Sequence, residues 1–410
     1  MINKIKKLWN SPYFLALVFF LLLFLRRYDQ LFHPYVWIED GLYNVPQFME
    51  EGWHSLFTPV GGYPIVLSKL ISYISMEISF VYYPEISTYI TWILTICIAL
   101  LVVYTPTMLE YKKLAAMFIF LIPINAEPYG LPLYMLWFSS ILTFLVALWQ
   151  QGKLQVVKNS FVILAGLSSP TIVLLVPVQI YRILFFKSKK EEWITFFFAI
   201  IMSIFQLSFV FDPNDTGVRY HPQLNLEFLD IVVRKFFGDF FLSGFFVSEH
   251  YKIVGGYILL FIILYFFIKN PKDKIYQILL FMVLITIAFS TLRLDPMRVR
   301  PVVGGGARYF FLQYITLSWI ILYIIKRDRL FRYLLIPVLI FSQIISMQHF
   351  CKLHDKISWK ENVYKCANSN KQSYIMPIMY AGSLEGVWHV EYNPKLCKKM
   401  LKKDLFIKEE

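Results

Sequence analysis

Two adjacent carboxylates, Glu39 and Asp40, lie in the segment Trp37-Ile-Glu-Asp-Gly41, which follows the first long apolar run of the chain. A carboxylate held near a reacting group can act as a general base and remove a proton from a substrate hydroxyl. Acidic residues also keep loops solvated, and that interpretation stays equally open. The sequence therefore indicates a candidate base here without separating Glu39 from Asp40.

Arginines are concentrated in a second segment, which contains Arg293, Arg298, Arg300 and Arg308 together with a glycine tract at 304–306. Guanidinium forks match phosphate oxygens, and glycines let backbone N–H groups come close to a phosphate. The alternative explanations are binding of anionic lipid headgroups and a different topology that places this loop in the cytoplasm. No Gly-Lys-Ser/Thr follows the glycines, so the tract is not a P-loop. The pattern favours a phosphate-binding site, with Arg308 and Arg300 as its first candidates.

Glu127, Tyr63 and Tyr309 are three further candidates for substrate binding. Glu127 lies in a short Asn-Ala-Glu-Pro turn between two apolar runs, where a carboxylate is costly unless water or a partner meets it. An exposed turn glutamate is the alternative interpretation. Tyr63 belongs to the turn-forming tract 59–64, and Tyr309 directly follows Arg308.

The sequence contains no pattern typical of a metal or cofactor site. The histidines lack the spacing of metal ligands, and no serine nucleophile elbow is present. We therefore expect neither a metal nor a cofactor. A weaker cluster in the middle of the chain could also line a substrate site, although polar loops commonly have this composition: Asp212, Asp215, Arg219 and His221.

The composition indicates which elements must carry these residues. Of 410 residues, 58% are hydrophobic and 16% are charged, whereas soluble domains have roughly 25% charged residues. Apolar runs that can cross a bilayer recur along the whole chain. Lysines that hold loops in the cytoplasm explain the net charge of +13. Because no nucleic-acid-binding motif is present, the expected partners are membrane lipids and not nucleic acid.

Hydropathy and charge predict an all-α transmembrane bundle of about 10–11 membrane helices over residues 1–347. The first apolar run is expected to be a retained span, because Arg26 and Arg27 follow it instead of a signal-peptide cleavage site. Its basic start is expected in the cytoplasm. Loops 27–85, 211–252 and 293–308 are then extracytoplasmic, as is a small tail domain at 348–410. Residues 65–81 are expected to lie in the interface. The spans are placed at about 12–27, 86–106, 114–124, 131–149, 192–210, 253–268, 275–291, 309–325 and 332–347.

Residues 160–186 are predicted to form two short helices and not one span. A single span would place Lys187, Lys189 and Lys190 outside, against the positive-inside rule. A break at 166–170 supports a hairpin that enters and leaves from the cytoplasmic side. Such breaks at membrane depth are tolerated when protein or a water-filled cavity surrounds them.

Three of the four cysteines, Cys351, Cys366 and Cys397, lie in the tail, and Cys97 is expected to pack within a span. An extracytoplasmic compartment is oxidising, so one disulfide can form among the tail cysteines. The sequence does not determine which pair forms it.

Several of these segments together resemble the GT-C class of polytopic glycosyltransferases, in particular bacterial proteins that modify surface polysaccharides such as O-antigen. The similarity lies in a set of segments spread over most of the chain, each of them loosely matched. They are Trp37 to Gly41, Ser55 to Pro59, Gly62-Tyr-Pro64, Asn125-Ala-Glu127, Gly166 to Pro170, Ala307 to Phe310, and a small tail with Val387-Trp388.

The resemblance implies a polyprenyl-phosphate sugar donor, with glucose as the first candidate sugar, and a polysaccharide or lipid-linked glycan acceptor. It also implies inverting, metal-independent chemistry at the outer face of a bacterial inner membrane. By position, the base would be Asp40 or Glu39, and the arginines would hold the leaving phosphate. No Asp-x-Asp signature is present, which leaves the donor and acceptor undetermined.

Other classes of membrane protein remain alternatives. A polysaccharide polymerase or ligase would transfer whole glycans from a diphosphate lipid. A transporter or flippase of lipid-linked sugar should carry charged residues deep inside its spans, and it commonly shows an internal repeat. Neither feature is evident here. An acyltransferase would need a histidine-based site, for which no candidate is present.

Overall fold

The computed structural model describes residues 9–186, 190–210, 225–243, 247–293, 295–302, 306–347, 355–380 and 387–407, except for the side chains of residues 292, 293, 346, 347 and 380. Helices dominate this part of the chain. They are α1 (Pro12–Phe32), α2 (Val45–Glu51), α3 (Val66–Ile78), α4 (Tyr83–Tyr104), α5 (Lys112–Leu121), α6 (Met135–Ala147), α7 (Gln155–Ser168), α8 (Leu175–Phe185), α9 (Lys190–Val210), α10 (Leu226–Val233), α11 (Asp239–Leu242), α12 (Glu249–Lys269), α13 (Lys274–Arg293), α14 (Arg308–Arg327), α15 (Arg329–Met347), α16 (Trp359–Ala367) and α17 (Pro394–Lys403).

Five helices in the described ranges are long and apolar enough to cross a membrane: α4, α9, α12, α13 over Lys274–Thr291, and α14. Two shorter apolar stretches, Pro132–Ala147 and Pro170–Phe185, pack among them. A helical membrane protein is the architecture that such elements build, because helices satisfy their backbone hydrogen bonds internally. The larger number of membrane helices expected from the sequence stays a prediction.

The break expected at 166–170 is present, since α7 ends at residue 168 and a 3-10 turn leads into α8. Lys158 near the start of α7 and Arg182 near the end of α8 both contact Glu192 in α9, at 2.9 and 3.0 Å. The two outer ends of the α7–α8 segment therefore lie at the same level of the molecule, as a hairpin requires. Because all three charges are buried, they hold these ends together without solvent screening.

Polar contacts join the other helix ends to this level. Lys113 donates to the carbonyl of Trp9 at 2.7 Å, and Thr107 pairs with Trp149 in an isolated β-bridge. The ends that meet here through such contacts are residues 104–113, 147–158, 182–192, 269–274 and 326–332. We call these helix ends the basic end of the molecule. Arg308 begins α14, and therefore lies at the opposite end of that helix from Lys326 and Arg327.

The tail contains an antiparallel β-hairpin, which the sequence reasoning did not predict. Strands β1 (Tyr374–Tyr380) and β2 (Val387–Tyr392) pair with each other and lie with α16 and α17. A disulfide joins Cys366 in α16 to Cys397 in α17, which selects one of the possible pairs. Cys97 is exposed on α4 instead of packed in a core, and Cys351 lies outside the described residues.

The tail shares a hydrophobic core with the segment that follows α1. Trp359, Met376 and Val390 of the tail belong to the same buried cluster as Phe48 and Phe80. Asp404 adds polar contacts, accepting hydrogen bonds from Ser79 and from the backbone N–H of Val81. The tail, which the sequence predicts as a small domain of its own from residue 348, therefore packs as one unit with the segment that follows α1.

Candidate functional site

Arg308 is the centre of a cluster of four polar side chains from three separate segments. It is the first residue of α14, whose following residues are almost all buried. Its Nη1 donates to Glu127 Oε1 and to the Tyr134 hydroxyl, both at 2.8 Å, and to Glu39 Oε1 at 3.2 Å. Tyr134 also donates to Glu127 at 2.8 Å. Three residues nominated from the sequence, Arg308, Glu39 and Glu127, thus meet across the fold.

Glu127 is fixed in place by several donors. Besides Arg308 and Tyr134, the backbone N–H of Ala307 donates to its Oε2 at 3.1 Å. That N–H belongs to the residue before α14, where the helix dipole favours negative charge. With 8% of its side chain exposed, Glu127 is a partnered, largely buried carboxylate. The alternative of a freely exposed turn glutamate is therefore wrong.

Two arginines at the kink in α1 hold the loop that carries Glu127. Arg26 donates to the carbonyls of Ile124 and Asn125, and Arg27 donates to the carbonyl of Ala126 at 3.0 Å. From the sequence, this Arg-Arg pair is expected only to flank the first span. The signal that could have revealed their role is the occurrence of two adjacent cations directly after an apolar run. Guanidinium groups that are buried at such a position need hydrogen-bond acceptors from the protein.

Glu39 and Asp40 occupy different environments although they are neighbours in sequence. Asp40 is 1% exposed and accepts hydrogen bonds from Asn44 at 2.7 Å and from the N–H of Leu133 at 3.5 Å. Burial raises the pKa of Asp40 to about 7; the two hydrogen bonds act against this shift, and the charge of Glu39 adds to it. Glu39 is a quarter exposed, and its Oε2 is buried without a hydrogen-bond partner among the described residues.

The tail β-hairpin supports the turn that bears these carboxylates. Asp40 begins a π-helical turn, Asp40–Asn44, and the hydroxyl of Tyr392 in β2 donates to the carbonyl of Gly41 at 2.9 Å. A Cβ at Gly41 would lie 3.2 Å from Ile378 in β1. The close approach of these strands sets the position of Glu39, and the sequence contained no signal for it.

A cavity of about 210 Å³ opens beside Arg308. Glu39, Arg308, Tyr63 and Tyr309 all line it, whereas Asp40 does not. The guanidinium of Arg308 lies 5.5 Å from the centroid of the Tyr309 ring. The cavity thus combines one cation, one accessible carboxylate and aromatic side chains, which are suited to a polar ligand that carries negative charge.

A second, mainly apolar cavity of about 230 Å³ shares part of this lining. The two cavities have five residues in common: Gly61, Tyr63, Leu136, Trp137 and Tyr309. The apolar cavity extends between α6, the tip of the α7–α8 hairpin, α13 and α14, where Ser169, Phe289 and Leu312 line it. A ligand with a charged head and a long apolar tail matches this pair of cavities.

Arg298 and Arg300, two further arginines nominated from the sequence, do not line either cavity. The side chain of Arg298 is 79% exposed and lies 3.8 Å from Asp295, and Arg300 is exposed. The side chain of Arg293 lies outside the described residues, as do Gly304, Gly305 and the polar cluster at 212–221. Within the part of the chain that is described, no group of three or more His, Cys, Asp or Glu side chains could hold a metal ion.

The chain matches no family model, no curated protein and no solved structure. The resemblance to polytopic glycosyltransferases therefore stays a prediction, and function must be argued from the site.

Proposed function

We propose that this chain is a membrane glycosyltransferase that moves a sugar, with glucose as the first candidate, from a polyprenyl-phosphate donor to a surface polysaccharide. The proposal places the site at the outer face of a bacterial inner membrane, with the N-terminus in the cytoplasm and the tail outside. The observation that carries it is the cavity that Arg308 and Glu39 line together, which shares five lining residues with the mainly apolar cavity, called the apolar groove below.

Glu39 is the carboxylate that this proposal assigns as base. An acceptor hydroxyl oxygen forms a bond to C1 of the sugar while the bond from C1 to the phosphate oxygen breaks. The electron pair of the broken bond leaves with the phosphate, and the hydroxyl proton passes to the Glu39 carboxylate. Asp40 lies behind the cavity wall and both its oxygens accept hydrogen bonds, so it positions the turn.

Arg308 is assigned to the leaving phosphate. Charge grows on that group as the bond to the sugar breaks, and a fixed guanidinium stabilises it in a partly dry site. Arg308 is the cationic side chain that lines the cavity in the described part of the chain, which favours a monophosphate over the more highly charged diphosphate of a polymerase or ligase donor. The apolar groove suits the polyprenyl chain.

Sugar transfer in membranes tests the proposal. Membranes that contain the wild type, Glu39→Gln or Asp40→Asn at equal expression would receive radiolabelled polyprenyl-phosphate glucose and a lipopolysaccharide acceptor. We expect the wild type to label the glycan and Glu39→Gln to lower the rate by about 10²–10⁴-fold, the usual contribution of a general base. Asp40→Asn should retain more transfer than Glu39→Gln.

Other outcomes would redirect the assignment. Transfer that survives in Glu39→Gln but disappears in Asp40→Asn would make Asp40 the base. Transfer from other lipid-linked sugars but not from glucose would change only the donor sugar. If no lipid-linked monophosphate sugar is used, the glycosyltransferase proposal fails and a polymerase or a transporter becomes the next hypothesis.

A further inference from the structure

The guanidinium of Arg308 uses only one of its nitrogens in the cluster. Nη1 makes all three hydrogen bonds, to Glu39, Glu127 and Tyr134. Nε and Nη2 make no hydrogen bond within the described ranges. Together these two nitrogens form the two-pronged edge that binds phosphate oxygens in a bidentate manner. Because Arg308 lines the cavity, that edge is the available one for a ligand anion.

The three acceptors at Nη1 are not equivalent. Glu127 is largely buried, and it also accepts from Tyr134 and from the N–H of Ala307. Glu39 makes the longest of the three contacts, 3.2 Å, and has a single partner, because its other oxygen accepts no hydrogen bond from a described residue. An anion that binds the free Nε and Nη2 edge of Arg308 therefore weakens the contact with Glu39 before the contact with Glu127.

We infer that Glu39 is a displaceable latch on Arg308, and that binding of a lipid-linked phosphate releases its carboxylate. The inference rests on the proposed function for the identity of the ligand. A phosphate on Arg308 shares the positive charge of the guanidinium and repels the carboxylate of Glu39. The carboxylate then loses its ion pair and turns to the acceptor hydroxyl, so the base becomes available only after the donor has bound.

The contact between Glu39 and Arg308 also stabilises the site before the donor binds. With no donor bound, Arg308 pairs with both Glu127 and Glu39. Glu39 therefore has a cationic partner inside a partly buried cavity, where an unpaired charge would be costly. Donor binding replaces the ion pair between Arg308 and Glu39 by an ion pair between Arg308 and the phosphate. An ordered sequence follows, with the donor first and the acceptor second.

Phosphate binding to the purified protein tests the latch separately from catalysis. The probe is polyprenyl monophosphate without a sugar, titrated into wild type, Glu39→Gln and Glu77→Gln in lipid nanodiscs and followed by tryptophan fluorescence, since Trp137 lines both cavities. We expect Glu39→Gln to bind about fivefold more tightly than wild type, the gain that loss of a competing, partly exposed ion pair would give. Glu77 is an exposed carboxylate of α3, and its change should leave affinity unaltered.

Equal or weaker binding by Glu39→Gln, or no binding by the wild type, would overturn the latch. Inorganic phosphate serves as a second probe: tightening by Glu39→Gln with both probes assigns the competition to the phosphate and not to the lipid chain. Tighter binding combined with no sugar transfer by any form, wild type included, would support the latch and reject the proposed function. If Glu39→Gln does not fold, Glu39→Asp, with a carboxylate one methylene shorter, should show the same tightening.

Discussion

At the scale of single residues, neighbours in sequence have acquired different properties because they face different surroundings. Glu39 lines the cavity, whereas Asp40 is enclosed by the π-helical turn, the N–H of Leu133 and the tail. Burial disfavours the ionised form of an enclosed carboxyl. The pair therefore consists of one carboxylate that faces the cavity and one buried carboxylate whose ionisation acts on stability.

The raised pKa of Asp40 predicts a dependence of stability on pH. The folded pKa of about 7 exceeds the ordinary aspartate pKa of 3.8, so the folded state holds the proton between these pH values and the unfolded state does not. The contribution is fully present below about pH 4 and is lost as pH rises to about 7. Asp40→Asn should remove this dependence, so its melting temperature relative to wild type should rise between pH 4 and pH 8.

Thermal unfolding in detergent, recorded at steps of pH for both proteins, measures this difference. Glu77→Gln is the matched control, because it removes an exposed carboxylate of the same region. A constant difference between Asp40→Asn and wild type over the whole range would contradict a protonated, buried Asp40.

At the scale of elements, the α7–α8 hairpin determines the direction in which the later helices run relative to α6. The buried contacts of Glu192 with Lys158 and Arg182 join its two ends, so α6 and α9 are connected by a segment that returns to the level it left. A continuous span would reverse every later helix. The tip of the hairpin then contributes Ser169 and Pro170 to the apolar groove.

The hairpin predicts which introduced cysteines react with a thiol reagent from each side of the membrane in cells. In a background without reactive cysteines, Lys153→Cys and Lys190→Cys should both react with a membrane-impermeant maleimide only after the inner membrane is opened. Both positions are exposed and flank the hairpin at the basic end. Glu50→Cys, exposed in α2 near the site, should react in intact spheroplasts. Labelling of Lys153→Cys and Lys190→Cys from opposite sides would refute the hairpin.

At the scale of the whole molecule, the segment that follows α1 and the tail pack together beside the site. The segment after α1 carries the carboxylates, and the tail packs on it through a shared hydrophobic core. The Cys366–Cys397 disulfide ties α16 to α17 and closes 31 residues of sequence that include the β-hairpin. The tail therefore acts as a support for the turn at Glu39 and not as a separate unit.

Loss of this disulfide should weaken the support. We expect Cys366→Ser with Cys397→Ser to lower stability by about 2–4 kcal/mol and to reduce sugar transfer, since the Tyr392 contact with Gly41 depends on the same unit. Cys97→Ser, on the exposed face of α4, is the matched control and should change neither. Unchanged melting and transfer in the double variant would show that packing alone holds the tail.

The sequence by itself determined the membrane class, most helix positions and the break at 166–170, because hydropathy, charge and proline act locally along the chain. It also nominated Glu39, Glu127 and Arg308 by their unusual positions between apolar runs. Only the tertiary structure decided that these three meet, that Arg298 and Arg300 stay apart from them, and which of the two first-loop carboxylates lines the cavity. Those outcomes depend on contacts between residues as far apart as Glu39 and Arg308, and on a tail β-hairpin whose packing against the first loop no local pattern records.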